Sequence, residues 1–118
     1  MVAATLKAQE RELIPKCWVA KSPWSRFMGL MGKKGIAANE AVLFPRCNSI
    51  HTFFMRFPID VIMVGAEGNV IEVIDSMKPW RMQFPRFKAK HVIEMRAGRS
   101  RELGIEVGSR LDCSGAWD

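Results

Sequence analysis

Ile59-Asp60-Val61-Ile62-Met63-Val64, then Gly65-Ala66-Glu67-Gly68-Asn69, then Val70-Ile71-Glu72-Val73-Ile74 is the stretch whose pattern sets the fold class. Ile59, Val61 and Met63 alternate with Asp60 and Ile62, the period of two that a strand requires. The intervening glycines tolerate the positive φ of a tight reversal, so Val70–Ile74 is expected to pair back antiparallel. Outward from this hairpin, Lys16–Lys21, Ala41–Phe44, Ile50–Met55, His91–Arg96 and the neighbourhood of Arg110–Cys113 also read as short strands. One segment changes period. Ser22-Pro23 has the form of a helix start, and Trp24, Phe27, Met28 and Met31 follow at helical spacing, with Gly32 or Gly35 as the stop. Ser100 is placed to cap one helical turn through Leu103. The expected fold is mainly β: a small β-sandwich or barrel-like domain with one amphipathic helix and a short helical turn. Residues 1–15 lack a clear apolar stripe and are expected to be flexible, 16–113 to form the single domain, and 114–118 to be a mobile tail.

The chain has 118 residues and a formal net charge of +6. That length suffices for one core without a metal or disulfide staple. No apolar run approaches the roughly 20 residues needed to cross a bilayer as a helix. The longest candidate, Pro58–Ala66, is short and carries Asp60. The opening MVAATLKAQERELIPK contains no apolar stretch of signal-peptide length, which favours a cytoplasmic protein. Cys17, Cys47 and Cys113 form an odd set with no CxxC spacing, so reduced thiols are expected.

Charge is unevenly placed. Between Lys78 and Arg101 stand eight basic residues and one acid, Glu94, whereas the remainder holds ten basic and eleven acidic residues. Trp80, Phe84 and Phe87 interleave with these cations, a composition able to pair with phosphates and stack on bases. The competing reading is a solvated loop whose aromatics plug the core. Because charge asymmetry is a weak signal by itself, nucleic acid ranks behind a small anionic molecule or peptide as the expected partner.

The densest polar cluster is Arg46-Cys47-Asn48-Ser49-Ile50-His51-Thr52-Phe53-Phe54-Met55-Arg56-Phe57-Pro58-Ile59-Asp60. On a strand over 49–55, Ser49, His51, Phe53 and Met55 share one face. Histidine is the side chain suited to acid, base or ligand roles near neutral pH, which makes His51 a candidate for each. Asp60 stands in an apolar strand, so it needs a partner: His51, Arg56 or a backbone amide. Cys47 supplies a nucleophile for a Cys–His pair, or a third ligand beside His51 and Asp60. Each has a plainer alternative. His51 can be a hydrogen-bonded structural residue, Cys47 a small buried hydrophobe, and Asp60 the tie of a turn. No dense ligand motif supports a metal site and no cofactor is expected. Glu72 and Asp75 read as surface charge.

Several pieces together resemble a known family. Phe27-Met28-Gly29-Leu30-Met31, Leu43-Phe44 and the run Asn48–Asp60 are similar to the bacterial and archaeal domain of unknown function 192. So are Pro79-Trp80-Arg81, Val92-Ile93-Glu94-Met95, Ala97-Gly98 and Gly104-Ile105 with Gly108. The resemblance spans about Val19–Leu111 and implies a single small β-rich domain without implying an activity. It also implies that many relatives carry an export signal, a feature not seen here, and it makes an accessory role in pilus or secretion machinery conceivable. Ser109 stands where the family usually has Asp.

The leading expectation is a non-enzymatic binding or accessory module. Its groove is floored by Phe53, Met55, Trp80 and Phe27, and edged by Asn48, His51, Arg56, Asp60, Arg81 and Glu94, with the two arginines holding an anionic group. The alternatives are a hydrolase-like or metal-dependent enzyme using His51 with Asp60 or Cys47, and a weak nucleic-acid binder through residues 78–101.

Overall fold

The computed structural model describes residues 2–8, 11–22, 30 and 33–113. Eight strands and one helical turn follow in order: β1 Val2–Ala8, β2 Arg11–Val19, β3 Glu40–Pro45, β4 Ile50–His51, β5 Ile59–Val64, β6 Val70–Met77, β7 Met82–Gln83, β8 His91–Arg96 and α1 Arg99–Glu102. Six strands form one sheet in the order β1-β2-β3-β8-β5-β6, and β4 pairs with β7 in a second, two-stranded ribbon. All pairs in the large sheet are antiparallel except β2 with β3. The fold is mainly β, as the period-two segments indicate. The expected helix over Trp24–Met31 lies outside the described residues except for Leu30, which is buried.

The central strands are apolar on both sides because the sheet is covered on both sides. Cys17, Leu43, Ile62, Val64, Ile93 and Met95 pack into one cluster with Leu6, Ile14 and Leu111. Val42, Phe44, Val61, Met63 and Val92 pack into the other with Met55, Met77 and Ala89. Cys17, Cys47 and Cys113 are free thiols. A hydrogen bond to Cys113, reinforced by burial, pushes the Cys17 thiol up, and the same bond lowers Cys113.

The N-terminal segment expected to be flexible forms β1 and much of β2, with Leu6, Leu13 and Ile14 buried. Its strand pattern is broken by an irregularity: Ala4 faces Cys17 while Leu6 faces Ile14, so Pro15 and Lys16 bulge outward opposite a single residue. A bulge accommodates Pro15, which has no N–H to donate to a ladder. It also interrupts the alternation by which a strand is recognised.

Two long connections create the second layer. β3 pairs with β8 from Ala41↔Met95 to Pro45↔His91, and β5 pairs with β8 from Ile59↔Arg96 to Val64↔His91. The chain therefore leaves β3 at one end of the sheet and re-enters at β5 from the other. The link from β6 to β8 crosses the same way in reverse. Both links cover the face of Val42, Val61 and Val92, burying Met55 and Ala89 inward. There they pair with each other: Cys47 N–H donates to Lys90 O at 2.8 Å, Arg86 N–H to Asn48 O at 3.0 Å, and Ile50 and His51 face Gln83 and Met82. The ribbon's inner side seals the core; its outer side meets solvent.

Candidate functional site

Thr52 holds the two links together. It is fully buried, and its hydroxyl donates to Lys78 O at 2.6 Å while accepting from Arg81 N–H at 2.9 Å. Its own N–H donates to Arg81 O at 2.8 Å, and its carbonyl accepts from Trp80 N–H at 2.9 Å and Met55 N–H at 3.2 Å. One small polar residue thus satisfies a whole turn of the opposite link, as buried backbone groups demand.

The clamp presents a row of rings. His51 stacks on Phe53 at 5.0 Å between centroids, Phe53 lies 6.1 Å from Trp80, and Trp80 lies 4.8 Å from Phe54. Phe54 is 60% exposed, Trp80 56%, Phe84 69% and Phe87 93%. Exposed Met82 lies across from His51. Phe54 and Trp80 also have positive φ, 65° and 63°. Bulky residues in that region are rare and cost about 1–3 kcal/mol each. The turn at Phe53-Phe54 is why β4 ends at His51, where the sequence predicted a strand through Met55. Met55 consequently enters the core and does not floor a groove.

The cations of these links remain available. Among the described residues, Arg56, Lys78, Arg81, Lys88 and Lys90 are exposed and enter no ion pair. Arg86 is the exception, bonded to Glu72 at 2.8 Å. At the far end of the ribbon a cavity of about 410 Å³ is lined by Arg46, Cys47, Asn48, Ser49, Ala89 and Lys90. Arg46 has φ 55° and donates its N–H to Nδ1 of buried His91 at 3.1 Å. Burial, then the Arg46 charge, lowers the His91 pKa, consistent with a neutral imidazole accepting that bond.

The remaining sequence candidates are dispersed. Asp60 is fully buried: one carboxylate oxygen accepts from Ser76 N–H at 2.9 Å, the other from Gly98 N–H at 3.1 Å, Ser100 N–H at 3.0 Å and the Ser100 hydroxyl at 2.5 Å. Backbone amides and the Ser100 hydroxyl, not His51 or Arg56, are its partners, and it ties α1 to β5. His51 is exposed and its Nδ1 accepts from Phe53 N–H at 3.3 Å, while Cys47 directs its S–H to Ser49 O at 2.9 Å. Glu94 is buried opposite Val61, whereas Asp60 lies opposite Met95, so the two acids point to opposite faces of the sheet. Asp60 and Glu94 therefore do not edge one groove with His51, Arg56 and Arg81. Phe27 lies outside the described residues. Asn48, Phe53, Trp80 and Arg81 do belong to the facing links. Thr52, Phe54 and Met82 belong with them, and no sequence motif announces Thr52. Among the described residues no group of three His, Cys, Asp or Glu is placed to hold a metal, and no helix is long and apolar enough to cross a membrane.

The ring row and Thr52 fall in the pieces Asn48–Asp60 and Pro79-Trp80-Arg81 that carry part of the family resemblance, and residues 4–113 match the DUF192 family profile (Uncharacterized ACR, COG1430). The chain belongs to the DUF192 family. A UPF0127 protein of Pyrococcus furiosus is 38% identical over 90 residues, covering 74% of this chain and 77% of the relative. A UPF0127 protein of Pyrococcus horikoshii is 36% identical over 96 residues, covering 79% and 83%. Among solved structures, a protein of unknown function from Novosphingobium aromaticivorans superposes with a TM-score of 0.78 at 20% identity, covering 94% of this chain and 84% of that one. At that identity the likeness concerns the DUF192 fold alone.

Proposed function

We propose that this DUF192 protein is a non-enzymatic binding module that takes an anionic ligand on the outer face of the two crossing links, residues 47–57 and 78–90. The observation that carries the reading is the contact between Phe54 and Trp80, two strained and exposed aromatics. Hydrophobic collapse would bury such rings, and an unconstrained turn would relax their φ. The Thr52 clamp instead holds the turn that presents Trp80. The 78–90 link itself contains five Lys or Arg and no Asp or Glu, and of these five Arg86 is paired with Glu72. Such a face offers flat apolar contact together with charge-assisted hydrogen bonds. An enzymatic role for His51, Asp60 and Cys47 has less support, because each of the three is engaged by its own separate partner.

The test is a calorimetric titration against four anionic probes: inorganic phosphate, a polyglutamate peptide, an oligothymidylate and a sulfated oligosaccharide. Saturable binding of at least one, lost in Trp80→Ala, is the expected result. Silence across all four, or equal binding by the variant, overturns the reading.

A further inference from the structure

We infer that this face is a binding site for single-stranded nucleic acid, with bases stacking on Phe54, Trp80 and Phe87 and phosphates meeting Lys78, Arg81 and Lys88. The inference rests on the binding-module reading and names its ligand class. Charge asymmetry alone ranked nucleic acid low, because the aromatics among those cations had an equal claim to the core. Their exposure decides between the two: Trp80 is 56%, Phe84 69% and Phe87 93% exposed. They stand outward from the links that carry the unpaired cations.

Shape and charge together select the ligand. Rings that project from a surface suit a flat partner that lies on them. Bases of a single strand have such faces, and stacking on aromatics tolerates any sequence. An acidic peptide would use the cations and leave the rings in water; a neutral sugar would use the rings and leave the cations unpaired. A duplex hides its base faces in its own stack, and the only helix among the described residues, α1, has four residues and offers nothing to insert into a groove. The cavity beside Arg46 and Lys90 extends the cationic track beyond the rings.

The experiment is fluorescence anisotropy with a labelled twelve-residue oligothymidylate, set against an abasic deoxyribose-phosphate oligomer of equal length and a polyglutamate peptide. The thymidylate is expected to bind about 10- to 100-fold tighter than the abasic strand, the scale of one to two stacked bases. Trp80→Ala should remove most of that margin, and Trp80→Phe should restore it, while both variants keep the wild-type circular dichroism and melting profile. Raising salt from about 50 to 200 mM should weaken thymidylate binding about 20-fold, as expected for about three phosphate contacts. Equal binding of the abasic strand reduces the face to a charge patch and overturns the inference. Preference for polyglutamate overturns it too, but leaves the binding-module reading standing. If none of the three binds, this inference falls, and the binding-module reading falls with it only if phosphate and the sulfated oligosaccharide are silent too.

Discussion

The rings of Phe54 and Trp80 meet at 4.8 Å with their planes inclined by 56°, and each belongs to a residue whose φ is left-handed. Local energetics oppose this arrangement twice over, through backbone strain and through exposed apolar surface. Replacing Trp80 by Gly removes the ring and suits the φ of 63°. Its relief of strain and its added chain entropy nearly cancel, so stability by urea unfolding should change by less than about 1 kcal/mol. Ligand binding should nevertheless be lost. A loss of several kcal/mol would mean that Trp80 serves the fold.

Thr52→Val keeps shape and deletes the hydroxyl. The Lys78 carbonyl and Arg81 N–H then lose their hydroxyl partner in a part-buried setting. The expected cost is about 2–3 kcal/mol in urea unfolding. Proteolysis should also begin at the 78–87 turn in the folded variant, because its anchor has gone. Wild-type stability and unchanged cleavage would remove Thr52 from its clamping role.

Asp60 belongs to a different part of the molecule, and its replacement should affect only folding. Asp60→Ala leaves the amides of Ser76, Gly98 and Ser100 without their acceptor. A loss of about 3–5 kcal/mol is expected, measured by thermal or urea unfolding. A variant that folds marginally at low temperature should still bind ligand. Selective loss of binding with intact stability would return Asp60 to the site.

Glu94 makes stability depend on pH. Burial raises its carboxyl from 4.5 to about 8. The folded protein therefore holds a proton that the unfolded chain has released, and stability falls as pH rises from about 4.5 to 8. Glu94→Gln carries no such proton. The variant's stability relative to wild type should thus grow across that window, by up to roughly 4 kcal/mol at 1.36 kcal/mol per pKa unit. Urea unfolding at pH 5 and pH 8.5 measures the difference, and a constant difference would contradict it.

The central sheet was readable because Ile59–Val64, Ala41–Phe44 and His91–Arg96 are apolar runs bounded by turn residues. The hairpin at Gly65–Asn69 closes with Gly68 at φ 89° and Gly65 N–H donating to Asn69 O at 2.8 Å. The first strand and the first half of the second were hidden by the bulge at Pro15 and by the small, partly buried residues Ala4 and Ala8, whereas the second half of β2 falls in the strand read at Lys16–Lys21. The site was half visible. Trp80 and Arg81 stood out by type, but the turn that presents Trp80 is held by a tertiary clamp made by Thr52, which has no local signature. Asp60 showed its need of a partner; that the partner is the turn at Gly98–Ser100 follows from strand pairing beyond the reach of spacing. The reversal at Phe54 was missed because a phenylalanine with positive φ contradicts its own propensity.

An NMR titration of isotope-labelled protein with oligothymidylate reads the location of binding directly. Amide shifts should concentrate in residues 47–57 and 78–90, saturate together, and disappear in Trp80→Ala. Shifts gathered along the outer strands β1 and β6, with the links undisturbed, would place the ligand elsewhere and refute the assignment of this face.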